Sequence, residues 1–183
     1  MQHKPGSHNN KAIFLDRDGV LNKVVLKDGI PHPPQTIEEF EILPMVKEAL
    51  TDLKSANYML VVVTNQPDVA RGNQSLKVVD EMHRLLLEAL PLDLVKVCIH
   101  QDKDLCQCRK PKPGMLLQAA EELGIDLKSS YMIGDRWRDI DAGLAAGCKT
   151  VWIVNTYSEK HPTNFHHSAK SLWLAAKNII RKS

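Results

Sequence analysis

Lys11-Ala12-Ile13-Phe14-Leu15-Asp16-Arg17-Asp18-Gly19-Val20 is an apolar run that ends in two carboxylates one residue apart. Ile13, Phe14 and Leu15 show no polar alternation, the pattern of a strand covered on both faces in a parallel sheet. In open α/β sheets the ligand crevice lies outside the carboxyl ends of the strands, so Asp16 and Asp18 point at a site. Two anions this close call for a cation, and Mg²⁺ is the natural one: it prefers hard oxygen ligands and is usually held by one or two carboxylates with phosphate and water. Taken alone, Asp-x-Asp-Gly is more often just a polar turn after a strand.

Outward from that stretch, strand and helix alternate. Tyr58 to Val63 reads as a second buried strand, leading into Thr64-Asn65-Gln66. Leu94 to Ile99, Tyr131 to Ile133 and Thr150 to Val154 read as further strands; the third of these four apolar runs leads into Gly134-Asp135, with Asp139 and Asp141 behind it. Between them, Pro44 suits the start of a helix carrying Val46, Ala49, Leu50 and Leu53 on one face. Ser75 suits the N-cap of a helix whose stripe is Val79, Met82, Leu86 and Leu90. Gly114 to Leu123 reads as a helix stopped by Gly124, followed by helices around Asp139 to Ala146 and Ser171 to Ile180. This order predicts an α/β fold, a doubly wound Rossmann-like parallel sheet with helices on both faces. Asn22 to Leu43, with Pro31, Pro33 and Pro34, is too long for an ordinary βα loop and is expected to cover the site.

Cys98-x-His100-x5-Cys106-x-Cys108 is the second strong pattern, using three of the chain's four cysteines. Thiolate and imidazole ligands at this density suit tetrahedral Zn²⁺, and four protein ligands leave no open position, so the expected role is structural. The intervening residues have little apolar content to fold the loop, which a metal would stabilise instead. Disulfides and unligated reactive thiols are the competing readings. Cys148 follows Gly147 in an apolar region and reads as core.

The 183 residues are 43% apolar, enough for a sizeable core, and the expected organisation is a loose arm over residues 1–10 and one domain over 11–183. A formal net charge of +2 with dispersed basic residues leaves no nucleic-acid footprint. No apolar run approaches the roughly 18 residues of a membrane span, and Met1 to Gly6 lacks a signal-peptide core. The expected location is therefore the cytoplasm, with no membrane or nucleic-acid partner and a monomeric state.

Asp16-Arg17-Asp18-Gly19-Val20, Thr64-Asn65-Gln66, Arg109-Lys110-Pro111 and Gly134-Asp135 occur in the order of the haloacid dehalogenase-like phosphatase motifs, and the chain resembles that superfamily over residues 11 to about 154. The cysteine loop narrows the resemblance to its zinc-loop branch, which lacks a large cap domain. Asn65-Gln66 with Val69-Ala70-Arg71-Gly72, and Cys108 through Met115, are similar to the D-glycero-D-manno-heptose-1,7-bisphosphate 7-phosphatase family. The compact spacing of the cysteine loop is instead similar to the histidinol-phosphatase family. The heptose family is favoured, because two stretches beside the site outweigh one loop length.

The resemblance implies an aspartyl-phosphate mechanism and a small phosphorylated sugar as substrate, in nucleotide-heptose and lipopolysaccharide-core precursor synthesis. It makes Asp16 the nucleophile and Asp18 the acid and then the base. It gives Mg²⁺ to Asp16, Asp135 and the backbone carbonyl of Asp18, and the phosphoryl oxygens to Thr64 and Lys110. Zn²⁺ on Cys98, His100, Cys106 and Cys108 would fix Arg109 and Lys110 over the crevice. Arg109 suits a second phosphate or a sugar diol, with Asn65, Gln66 and Arg136 as further substrate contacts. A DNA 3′-phosphatase of the same superfamily shares some of these elements, but the modest charge and the zinc loop disfavour it; a non-catalytic zinc module is disfavoured by the intact acidic motifs. His161, His166 and His167 read as a surface loop rather than a second metal site, Trp137 as packing, and Glu38-Glu39 as a solvated pair.

Overall fold

The computed structural model describes residues 10–182. Six strands form one sheet: β1 (Lys11–Leu15), β4 (Tyr58–Asn65), β5 (Leu94–Cys98), β6 (Tyr131–Gly134), β7 (Lys149–Ile153) and β8 (His167–Ala169). Their order is β5-β4-β1-β6-β7-β8, and every pairing is parallel. The chain builds outward from β1 to β4 and β5, then crosses to the other side of β1 to lay down β6, β7 and β8. The reversal puts a topological switch point at β1, and its carboxyl end is where Asp16 and Asp18 sit.

The helices are α1 (Val46–Ser55), α2 (Pro67–Ala70), α3 (Leu76–Ala89), α4 (Gly114–Leu123), α5 (Trp137–Ala146) and α6 (Leu172–Ile180). Alternate residues of β1 serve two cores. Ile13 and Leu15 join Leu50, Leu86 and Ala176 on one face, while Ala12 and Phe14 join Leu116 and Ala142 on the other. A strand covered on both faces has no position left for a polar side chain, which is why the apolar run is continuous.

Several expectations shift by a residue or two, and some change in kind. The strand at Tyr58 runs on through Asn65, so Thr64 and Asn65 are ladder residues rather than loop. Pro44 lies before the first helix, which starts at Val46 after Met45 in a left-handed conformation at φ 62°. Ser75 stands at the N-cap of α3 without a side-chain capping bond, and Leu90 is buried just beyond that helix. Ser171 does cap α6, its hydroxyl accepting from Leu174 N at 3.3 Å, and Gly124 ends α4 in the left-handed region.

The stretch from Asn22 to Leu43 is not wholly irregular: β2 (Val25–Lys27) and β3 (Ile30–His32) pair as an antiparallel hairpin. Gly29 O accepts from Ser158 N at 2.8 Å and Pro34 O from the Gln74 amide at 3.1 Å. The hairpin is thereby tied on two sides across the carboxyl end of the sheet. The C-terminal histidines do not form a loop throughout, since His167 begins the edge strand β8 and His166 Nδ1 accepts from Thr150 N at 3.1 Å. Among the described residues they form no metal cluster. Of the loose arm expected over residues 1–10, residues 1–9 lie outside the described residues, and Asn10 is anchored instead, its carbonyl accepting from Asp126 N at 2.8 Å.

Candidate active site

A cavity of about 280 Å³ opens at the carboxyl end of β1, lined among others by Asp16, Asp18, Arg109, Lys110, Arg136 and Asp139. The hairpin roofs it through Ile30, Pro31 and His32. Asp16 follows β1, Asp135 follows β6, and Asp139 stands in the first turn of α5. Their carboxylates lie within 4.8 Å of one another, all buried. Asp139 belongs to this cluster although the motif reading passed it by; its signal was its place four residues after the strand-end acid, one helical turn on.

Lys110 is the cation at the centre. Its Nζ donates to Asp16 Oδ1 at 2.7 Å and Val63 O at 2.7 Å, and lies 2.6 Å from Asp139 Oδ1. Three carboxylates and one ammonium leave the cluster with an excess of negative charge, and the titration of its members follows. Burial, then the neighbouring Asp139, raises the Asp16 carboxyl to about 6. Burial first, then Asp16, lifts Asp135 well above the usual carboxylate range. Both Asp135 side-chain oxygens are buried without a hydrogen bond of normal geometry, the neighbouring Tyr157 hydroxyl offsetting only part of the rise. Buried carboxylate oxygens facing a ring of like charge fit a hard divalent cation. Gly19 is what permits the approach: at φ +89°, a Cβ there would stand 2.0 Å from Asp135 Oδ2.

Asp18 points elsewhere. Its carboxylate accepts from Arg17 Nη2 at 2.9 and 3.0 Å, Arg17 Nε at 3.1 Å, Asn22 Nδ2 at 2.9 Å and Gln66 Nε2 at 2.7 Å. The side chain is therefore outside the three-carboxylate cluster, and only its backbone is left for a metal. Gln66, expected to touch substrate, is 1% exposed; its amide is committed to Asp18 and to Thr64 Oγ1 at 2.9 Å. Thr64 is buried beneath it. Asn65 lines the cavity, yet its amide is engaged on both sides with the backbone of Lys110 at 3.0 and 3.1 Å. Gln66 and Asn65 thus hold other site residues in place.

Arg109, also on the cavity lining, is 9% exposed, with Nε donating to Asp102 Oδ1 at 2.9 Å and Nη1 buried without a partner. Arg138 also reaches Asp102 Oδ1, at 3.1 Å. Arg136 lines the wall, paired with Glu159 through Nε at 2.8 Å and through Nη2. Cys98, His100, Cys106 and Cys108 converge immediately before Arg109, with sulfur–sulfur separations of 3.1, 3.4 and 3.7 Å and His100 Nδ1 at 3.3 and 3.6 Å from two sulfurs. A tetrahedron with metal–sulfur bonds of about 2.3 Å has edges of about 3.8 Å. The four donors approximate that shape.

The HAD-hydrolase-like family model matches residues 107–171. The D-glycero-beta-D-manno-heptose-1,7-bisphosphate 7-phosphatase of Haemophilus influenzae is 44% identical over 158 residues, covering 80% of this chain and 83% of that protein. The D-glycero-alpha-D-manno-heptose-1,7-bisphosphate 7-phosphatase of Campylobacter jejuni is 38% identical over 170 residues, covering 88% and 91%. Among solved structures, the D,D-heptose 1,7-bisphosphate phosphatase of B. bronchiseptica, complexed with magnesium and phosphate, superposes with a TM-score of 0.80 at 29% identity, covering 94% of this chain and 99% of that one. Sequence relatives over four-fifths of the chain and a solved neighbour over nearly all of it agree: the chain belongs to the heptose-bisphosphate phosphatase family of HAD-like phosphoric monoester hydrolases.

Proposed function

We propose that this chain removes the 7-phosphate of a D-glycero-D-manno-heptose 1,7-bisphosphate through a phosphorylated Asp16. The observation that carries the reading is the lining of the cavity: a nucleophile pinned by a buried lysine, and in the same cavity a guanidinium with one unpartnered nitrogen. Such a cavity suits a substrate with two anionic ends. Its roofed volume of about 280 Å³ suits a small sugar better than an oligonucleotide end.

Asp16 attacks phosphorus through the carboxylate oxygen opposite the lysine contact, forming an acyl phosphate as the bond from phosphorus to the sugar oxygen breaks. Asp18 gives that oxygen a proton, then takes one from the water that cleaves the acyl phosphate and releases inorganic phosphate. Lys110 and Thr64 hold the phosphoryl oxygens, so positioning and electrostatics supply most of the rate. Asp16, Asp135 and the Asp18 carbonyl would hold Mg²⁺, with Asp139 beside them; the ion supplies positive charge against the transferring group when bound. The buried Asp135 oxygens support that assignment. Cys98, His100, Cys106 and Cys108 would hold a structural Zn²⁺, a reading supported by their donor chemistry and near-tetrahedral spacing. With the loop fixed, Arg109 binds the second phosphate through the free side of its fork, and Arg136 lines the sugar.

Phosphate release measured side by side on both heptose bisphosphate anomers, histidinol phosphate and a 3′-phosphorylated oligonucleotide tests the proposal. A preference for a heptose bisphosphate supports it; a preference for either of the other two refutes it.

A further inference from the structure

Arg17 is 0% exposed, an unusual setting for a guanidinium, and His83 beside it is 7% exposed. Neither faces the three-carboxylate cluster, and the reaction as described uses neither. Arg17 presents the Nε and Nη2 edge of its fork to Asp18 and turns the remaining nitrogen, Nη1, to His83 Nε2 at 3.2 Å. The Phe40 ring lies 5.9 Å from the guanidinium carbon. His83 is on α3, 66 residues away in the chain, and belongs to no strand-end motif.

We propose that Arg17 and His83 are positioning residues for Asp18: His83 accepts from Arg17 Nη1, and the guanidinium plane fixed in this way holds the Asp18 carboxylate in line for proton transfer to the leaving oxygen. The inference rests on the acid–base role given to Asp18 above.

Geometry supplies the argument. A guanidinium is rigid and planar, so fixing Nη1 fixes the other edge, and a bidentate carboxylate pair is the arrangement that reads the plane's orientation. Asn22 and Gln66 add one donor to each Asp18 oxygen. The carboxylate is thus located from three directions, and Arg17 is the only charged partner among them. The imidazole must be neutral at Nε2 to accept from a cation. Burial, and then the Arg17 charge, lowers the His83 pKa to about 4, so the lone pair is available across the working range of pH. Were His83 apolar, Nη1 would be a buried donor without a partner, a cost relieved by letting the guanidinium rotate. Asp18 would then lose its alignment, although every residue that touches substrate would still be present.

The test separates a loss of proton transfer from a general loss of structure. In the full-length zinc-loaded enzyme with Mg²⁺, kcat/KM reports the steps through cleavage of the first phosphorus–oxygen bond. It is measured on p-nitrophenyl phosphate, whose leaving group departs as a stable anion, and on the sugar phosphate that the wild type turns over best, whose leaving oxygen needs a proton. Asp18→Asn sets the reference, a fall in the sugar-to-aryl ratio of kcat/KM. His83→Leu is expected to lower the same ratio about tenfold or more, and His83→Gln, whose amide oxygen can accept from Arg17, to restore most of it. Arg17→Lys, which keeps the charge and loses the fork, is expected to follow His83→Leu. Equal losses on the two substrates, or a wild-type ratio in both His83→Leu and Arg17→Lys, overturn the proposal. A wild-type ratio in Asp18→Asn instead overturns the acid–base role itself, whatever the sugar turns out to be.

Discussion

Stabilisation by magnesium should grow with pH between about 5 and 7, and the size of the effect follows from two buried groups that titrate in opposite senses. Without magnesium, Asp16 has its carboxyl raised to about 6 by burial and then by Asp139, against 3.8 in an unfolded chain. The folded state therefore binds the extra proton between those values. The contribution is fully present below the unfolded value and is lost as pH rises through 6, about 3 kcal/mol in all at about 1.4 kcal/mol per unit. His83 runs the other way. Its folded value near 4 lies below the unfolded 6.5, so the unfolded chain binds the extra proton and stability rises from pH 4 to 6.5, again by about 3 kcal/mol.

The two nearly cancel in a magnesium-free melt, so a bare pH–stability curve would be almost flat for this pair. Subtracting melts with and without magnesium removes His83, which no carboxylate of the cluster touches, and leaves the cluster alone. Below pH 6 the ion must displace a proton from it. At a fixed magnesium concentration well above Kd, the stabilisation should then fall by at least about 1.4 kcal/mol per pH unit, the slope of the Asp16 proton alone, or about 3–6 °C in Tm for a domain of this size, and more steeply where the raised Asp135 holds a second proton. Thermal unfolding at pH 5, 6 and 7, zinc retained throughout, measures the difference directly. A magnesium-induced shift in Tm that is the same at pH 5 and pH 7 would refute the reasoning.

Other outcomes are specific to single groups. Asp16→Asn should abolish phosphate release with the fold intact by circular dichroism, since the amide keeps the shape and loses the attacking anion; wild-type-like turnover rules out the phosphorylated aspartate. Elemental analysis of protein purified without chelators should find about one zinc per chain, as a closed four-ligand site implies, surviving gel filtration, while turnover still needs added Mg²⁺; protein without zinc removes the structural-metal assignment. Arg109→Ala should lower kcat/KM on the bisphosphate about tenfold or more, the loss of a charge-assisted contact worth roughly 1.5 to 3 kcal/mol, and should cost a sugar monophosphate much less. Equal losses on the two substrates count against a second-phosphate contact.

What was legible in the sequence was whatever a short stretch determines by itself. An apolar run without alternation specifies a doubly covered strand, and such a strand leaves its last polar residue at the crevice, so Asp16, Thr64 and Asp135 could be placed without any contact information. The cysteine loop was legible for a similar reason: its four donors lie within eleven positions and need no distant partner. The roof was half legible. Three prolines mark Asn22 to Leu43 as a special segment, but the pairing of β2 with β3 rests on three residues a side, too few for a periodic signal. The first turn of α5 hid Asp139 among ordinary helix residues, since a carboxylate there caps the helix in its own right, as its bond from Arg136 N at 2.9 Å shows.

Proximity to a motif assigns Gln66 to substrate and gives Arg17 no role. A polar residue beside a strand end is as well placed to hold a catalytic group as to touch substrate, and only the third dimension decides. Gln66 turns inward because Asp18, anionic and drawn away from the metal cluster, must find donors on its other side. Arg17 supplies the charge for the same reason. The site therefore separates its four carboxylates: Asp16, Asp135 and Asp139 gather around Lys110, where the proposed divalent cation would bring three positive charges against three negative, while Asp18 pairs with Arg17. On the acid–base role proposed for Asp18, that separation keeps its proton exchange apart from the carboxylates gathered around Lys110. Asp16 and Asp18 differ by two positions in sequence, yet their cations come from different segments, Lys110 from just after the cysteine loop and Arg17 from between the two acids, propped by a histidine on α3.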